Sequence, residues 1–175
     1  EAALEAANPY RLVADNLEFS QNFLRIGDQR YALYPESRIV VVGLGKASTA
    51  MCQAAHNAVE DRITKGVCIC KHEPAGLDLN PIAVFESAHP IPDERSIKAA
   101  ASIKECVSGL TEKDVVLFLL SGGGSALACM PVQGVTLSSI QQVTNLLLKN
   151  GATINEMNCV RKHLDGFKGG GFLYM

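Results

Sequence analysis

The stretch Val115 to Leu127, VVLFLLSGGGSAL, narrows the possible folds more than any other part of the chain. Val115 to Leu120 is apolar without alternation and rich in β-branched and aliphatic residues, the pattern of a strand buried on both faces of a parallel sheet. It ends abruptly in Gly122, Gly123 and Gly124, bracketed by the hydroxyls of Ser121 and Ser125. Glycine lets backbone adopt φ > 0 and lie directly against a ligand. A helical run starting near Ser125 would aim unpaired N–H groups at whatever sits above the strand, and phosphate or carboxylate is the natural occupant. A plain flexible turn is the competing reading, because glycine is also the default turn residue. The preceding strand favours a ligand, since open α/β sheets bind ligands at the carboxyl ends of their strands.

A second unit of the same kind begins at Arg38. Ile39 to Val42 reads as a buried strand, Gly43-Leu44-Gly45 as a tight turn, and Lys46 as the start of a helix to about Glu60 with Ala50, Met51, Ala54, Ala55 and Val59 on its apolar face. The turn GLGKAS lacks the third glycine of the dinucleotide fingerprint and the four-residue loop of a Walker A sequence. Any phosphate role therefore rests on Lys46. A lysine in the first helical turn opposes the helix dipole, a conflict that a bound anion relieves; a solvated surface lysine is the alternative.

The remaining segments alternate strand and helix. GVCICK at Gly66 to Lys71 and IAVFE at Ile82 to Glu86 are short β-rich runs. The loop His89-Pro90-Ile91-Pro92-Asp93 follows, with Asp93 as cap of a helix from Glu94 to about Val107. His89 is a possible site residue at a strand's carboxyl end, or a histidine that satisfies a loop carbonyl. Thr136 to Asn150 has helical spacing and stops at Gly151. Asn155 to Lys168 reads as a helix with Met157, Val160, Leu164 and Phe167 on one stripe and Asn158, Arg161, Asp165 and Lys168 on the next. Such donors suit carboxylate or phosphate oxygens, but a solvated face with an Asp165–Arg161 pair has the same spacing. Ala2 to Leu24, including Leu4, reads as helix restarted at Asn8-Pro9, and Ile26 to Ser37 as loop or irregular edge strand. The order points to an α/β layered fold with a mostly parallel sheet.

Composition removes whole classes of function. Sixteen basic residues against eighteen acidic ones, with 6% aromatics and no tryptophan, give no nucleic-acid footprint. The apolar run at Val115 to Leu120 is far too short to cross a membrane, so no membrane role is expected. The six cysteines include no C-x-x-C pair, and five of them fall in strand or helix patterns, which favours buried free thiols in a reducing compartment over a disulfide framework. A cytoplasmic location is expected, with the mitochondrion also open. No secretory leader pattern is visible, although the first residue is Glu1.

VVGLGKAS at Val41 to Ser48, LSGGGSAL at Leu120 to Leu127 and GATINEMNCVRKHLDGFKGGG at Gly151 to Gly171 together resemble the class II glycerate kinases, the glycerate 2-kinase family whose second domain is known as MOFRL. HPIPDERS at His89 to Ser96 is similar to the family's loop as well. The resemblance implies a Rossmann-like N-terminal domain over residues 38–175, incomplete relative to the family, with residues 1–37 a helical segment packed on it. It implies transfer of the ATP γ-phosphoryl group to the 2-hydroxyl of D-glycerate with Mg²⁺, in a cleft of which this sequence supplies one wall. Lys46 resembles the family's active-site lysine, and Ser121, Gly122, Gly123, Gly124 and Ser125 its ligand loop. Asn158, Arg161, Lys162 and Lys168 resemble its substrate-binding positions. No residue is singled out as a metal ligand, and homo-oligomerisation is an open expectation. Asp165 departs from the family pattern, which tends to serine there, and the pattern itself ends after Gly171. An NAD(P)-dependent hydroxypyruvate reductase and a non-catalytic ligand-binding remnant are the alternative readings.

Overall fold

In the computed structural model, residues 5–174 are described; Leu4 and the rest of the first four residues lie outside them, as does Met175. Four parallel strands form the central sheet: β4 (Ile39–Leu44), β5 (Ile63–Cys70), β6 (Ile82–Glu86) and β7 (Val115–Leu120), in spatial order β6-β5-β4-β7. Strand β4 is buried along its whole length and pairs with both neighbours, Leu44 opposite Ile69 on one side and Leu120 on the other, with one register shift toward β5 between Ile39 and Val40. Its side chains alternate between two cores, as a strand's period of two requires. Ile39 and Val41 pack with Cys52, Ala55 and Val59 of helix α2 (Ser48–Val59). Val40, Val42 and Leu44 pack with Ala99, Ala100 and Ile103 of helix α3 (Glu94–Val107), whose cap is Asp93 as expected. Helices on both faces and this strand order are those of a doubly wound sheet, with its switch point between β4 and β7.

The segment before β4 departs from the sequence reading. Helix α1 (Pro9–Ala14) does start at the Asn8 cap, whose side chain accepts from the amides of Tyr10 and Arg11. Residues 17–32 then form an antiparallel meander, β1 (Leu17–Ser20), β2 (Phe23–Ile26) and β3 (Gln29–Ala32), where helix was expected as far as Leu24 and loop or an irregular edge strand from Ile26. Leu17, Phe19 and Phe23 fit helical spacing as well as strand alternation, and pairing decides: Phe19 sits opposite Leu24, which carries the meander into the core beside Val13, Leu33 and Ile39.

Strand β7 departs in a different way. It stands at the edge of the sheet, paired on one side only among the described residues, and is half-buried rather than enclosed, with Leu120 59% exposed. Beyond it come a single helical turn α4 (Gly124–Leu127), helix α5 (Leu137–Lys149) and helix α6 (Ile154–Arg161). Helix α6 ends at Arg161, seven residues short of the expected Lys168. The Asp165 carboxylate accepts from the amides of Met130 and Phe167 and pairs with Lys168, while Val132 donates to Leu164 and Gly166 donates to Met130. These contacts bind residues 164–168 to the strand-like stretch around Pro131 instead of to another helical turn.

All six cysteines are free thiols. Five are buried as expected, and burial first of all pushes the Cys70 and Cys129 thiols up to about 12. Cys159 differs, being exposed on α6.

Candidate functional site

The two glycine turns meet at the carboxyl ends of β4 and β7, and their backbone amides are used in opposite ways. In the β4 turn every amide is spent. Gly45 donates to Ile69 O, Lys46 to Gly122 O at 2.9 Å, Ala47 to the Ser121 hydroxyl at 3.0 Å, and Ser48 to Gly45 O. The buried Ser48 hydroxyl donates to Gly45 O and Ile69 O, both at 2.8 Å, which ties the turn to the end of β5. A dinucleotide pyrophosphate needs free amides in this turn, and none remains.

The β7 turn is the reverse case. Ser121 donates to Leu44 O, but Gly122, Gly123, Gly124 and Ser125 donate to no acceptor among the described residues. Gly123 is left-handed, φ 92 and ψ −9, so successive N–H groups face one concavity, a nest that suits an anion. A Cβ on Gly123 would meet the Lys46 stem at 3.1 Å and the His89 ring at 3.1 Å, so both side chains flank the nest. The sequence reading placed the start of a helical run near Ser125 here. The helical stretch is only Gly124–Leu127, and the nest amides, not a helix dipole, supply the positive field. Lys46 likewise precedes α2 by two residues instead of opening it.

The expected basic stripe divides into two parts. Arg161 is 9% exposed and lies under the nest, its Nη2 donating to Ser125 O at 3.0 Å. Its Nε is buried without a partner among the described residues, an unspent donor beside the turn. Lys168 also reaches the loop, donating to Ala128 O at 3.1 Å, and lines a groove of about 220 Å³ with Leu44, Phe118, Leu120 and Ser125. Its charge is matched by Asp165, so the Asp165–Arg161 pair expected from spacing gives way to Asp165–Lys168. Asn158 and Lys162 stand exposed on and just past α6 and make no side-chain hydrogen bond to the nest among the described residues.

Sequence reasoning missed two features. Lys71 leaves β5 beside the end of β6, because the Ser87 amide donates to Cys70 O at 2.9 Å. The same Ser87 holds the β6 exit against the turn, its hydroxyl donating to Leu127 O at 2.7 Å. Only the strand order brings Lys71 toward Lys46 and His89, the latter already a candidate from its loop position; the place of Lys71 after a β-rich run was the available signal.

A parallel α/β sheet with helices on both faces, whose switch-point crevice presents free amides beside a lysine that makes no ion pair among the described residues, defines a domain of the doubly wound class. The chain belongs to the family described as a domain of unknown function, DUF4147, which matches residues 1–175. It is 45% identical over 135 residues to the D-glycerate 2-kinase of Thermotoga maritima, covering 77% of this chain and 32% of that protein. Over 168 residues it is 38% identical to the glycerate 2-kinase of Pyrococcus horikoshii, covering 96% and 37%. A putative hydroxypyruvate reductase of Agrobacterium vitis is 42% identical, covering 97% and 35%. Among solved structures, a Pyrococcus horikoshii protein superposes with a TM-score of 0.89 at 37% identity, covering 98% of this chain and 38% of that one. The Thermotoga maritima glycerate kinase gives 0.81 at 38% identity, covering 99% and 38%. The chain thus spans about a third of the length of the curated relatives it matches. No helix among the described residues is long and apolar enough to cross a membrane.

Proposed function

We propose that this chain forms the anion-holding wall of a D-glycerate 2-kinase, which transfers the γ-phosphoryl group of ATP to the 2-hydroxyl of D-glycerate. The observation that carries the reading is the contrast between the two turns: the β4 amides are consumed internally, while the Gly122–Ser125 amides stand free against Lys46. Phosphoryl transfer asks mainly for positioning and for neutralisation of charge spreading over the transferred group. The amide nest, the Lys46 ammonium and the unspent Arg161 Nε supply that at the end of one crevice. The apolar groove beside the nest offers a wall for the nucleoside. Asn158 and Lys162, exposed on the same flank, stand as acceptor-side contacts only toward a facing wall.

Mg²⁺ fits this wall through the phosphates it accompanies rather than through protein ligands. Among the described residues no group of three His, Cys, Asp or Glu side chains could hold a metal, and Asp165 is committed to Lys168 and two amides. When bound, Mg²⁺ supplies charge neutralisation on the nucleotide phosphates. A small-molecule acceptor in a cytoplasmic, reducing setting agrees with the free thiols.

The test is calorimetric titration of the purified chain with Mg-ATP and with D-glycerate, beside a coupled ADP-release assay. Lys46→Ala should weaken Mg-ATP binding at least about tenfold and cut any turnover about a hundredfold, the scale for loss of one charge-stabilising group. Absence of Mg-ATP binding would overturn the reading. A reductase would instead consume NADH in the presence of hydroxypyruvate, and the spent amides of the β4 turn argue against it. Binding without turnover would indicate a ligand-binding module whose chemistry needs a second wall.

A further inference from the structure

Three cationic or titratable side chains close the carboxyl ends of three adjacent strands: Lys46 after β4, Lys71 after β5 and His89 after β6. Lys46 Cγ and His89 Cδ2 each lie 3.1 Å from the point where a Cβ on Gly123 would stand, and His89 Nε2 lies 3.2 Å from it. Lys71 joins them because Cys70 and Ser87 are hydrogen-bonded neighbours across the strand ends. Among the described residues, neither lysine makes an ion pair, and no side-chain hydrogen bond engages any of the three.

Of the carboxylates near the exits of β5 and β6, Glu86 and Asp93 are engaged elsewhere, while the exposed Glu73, two residues past Lys71, makes no ion pair among the described residues. Glu86, the last residue of His89's own strand, meets Arg95 at 3.5 Å and His72 at 4.0 Å and accepts the Glu73 amide. The β7 turn contributes only the Ser121 and Ser125 hydroxyls and the free amides. Partial burial, then the Lys46 and Lys71 charges, hold the His89 imidazole below its usual pKa. The cluster therefore sets two lysines without ion pairs among the described residues beside an imidazole whose charged form is disfavoured first by burial and then by those lysines. An anion is what this arrangement lacks.

We propose that Lys46, Lys71 and His89 form an oxyanion subsite, filled by the carboxylate of the hydroxy-acid acceptor or by a phosphate of the donor, in which His89 takes up a solvent proton as the anion binds. This subsite rests on the kinase reading and assigns two residues to it, Lys71 and His89, that hold the anion alongside Lys46. The sign follows from linkage. A bound anion offsets the two lysines and raises the His89 midpoint, so affinity rises as pH falls through the interval between the free and bound midpoints, about tenfold for each pH unit separating them.

The experiment follows the histidine Cε1–H resonances of the full chain by NMR from acid to alkaline pH, alone, with D-glycerate, with inorganic phosphate and with ATP. His89 is assigned by the loss of its signal in His89→Gln, and the Gly122–Gly124 amides are followed in parallel. The free His89 should titrate below the usual histidine range, and a saturating anion should raise its midpoint by about half a pH unit or more. In Lys71→Met the free midpoint should rise and the anion-induced shift should shrink. A shift with D-glycerate identifies the acceptor carboxylate as occupant, and a shift with phosphate and ATP alone identifies the donor. If the nest amides respond to ATP while the His89 midpoint stays fixed under every anion, the subsite falls and the kinase reading survives. If neither amides nor imidazole respond, both fall. Through-bond correlation of each imidazole to its backbone assigns His89 in the wild-type chain as well, so a poorly folded variant does not rescue the proposal.

Discussion

Gly45 belongs to the β4 turn and Gly122 to the β7 turn, and substitutions at the two should separate stability from binding. Gly45 has φ +134, and a Cβ there would lie 2.2 Å from Ser121 Oγ and 2.6 Å from Ser121 O. Backbone strain and an unyielding contact add, so Gly45→Ala should cost about 3 kcal/mol or more in denaturant unfolding. Gly122 has open space within 4 Å, and Gly122→Ala should leave stability within about 0.5 kcal/mol of the parent. It should still weaken ATP binding, because the added methyl group occupies the mouth of the nest. Lys46 and the triple glycine were legible in the sequence because each follows a strong strand signal. The division of labour between the turns was not, since which amides are spent depends on β4 lying beside β7. Arg161 was legible as a charge but not as a buried support under Ser125, because the period of a helix does not say which flank another loop will cover.

Pairing of β4 with β7 is fixed at its start by one ion pair. Asp114, just before β7, accepts from the Arg38 amide at 2.9 Å, from the Arg38 guanidinium at 2.6 and 3.0 Å and from the Thr111 amide at 2.7 Å. The Arg38 side chain first, then the Arg38 and Thr111 amides, hold the Asp114 carboxyl well below the usual carboxylate range. A depressed folded-state pKa gives stability that is complete above the unfolded value and lost as pH falls through the folded one. Thermal midpoints should therefore decline below about pH 4. Asp114→Asn should lower the midpoint at pH 7 and remove that part of the acid decline, which a melting series over pH for both chains would reveal. At this scale capped elements were read well: Asp93 opens α3 and Thr136 opens α5, where side chain and backbone satisfy one another locally. Elements decided by distant partners were read badly. The meander at Leu17 to Ala32 depends on cross-strand pairs, and the early end of α6 depends on Asp165 bonding to Met130.

For the molecule as a whole, a mostly parallel sheet followed from the alternation of strand and helix, but the spatial order of its strands and the edge position of β7 did not. Its apolar sequence is that of an interior strand, yet it borders the sheet, and a second apolar groove of about 130 Å³ lies on its other face between Leu12, Leu17, Leu117 and Leu119. An open strand edge with apolar ground on both faces favours association with another strand. Leu120→Lys should reduce concentration-dependent light scattering of the purified chain while changing unfolding free energy by no more than about 0.5 kcal/mol. Undiminished scattering would show that association proceeds through another face.

The bond from the Ala47 amide to the Ser121 hydroxyl joins residues 74 apart in sequence. Time enters the architecture through that separation. On a growing polypeptide the β4 turn emerges first and has no partner for its Lys46 and Ala47 amides until Ser121 and Gly122 arrive, so the anion cradle is assembled late, after a long loop has closed. Hydrogen-exchange labelling during refolding should find the Lys46 and Ala47 amides protected together with β7, long after α2 has formed.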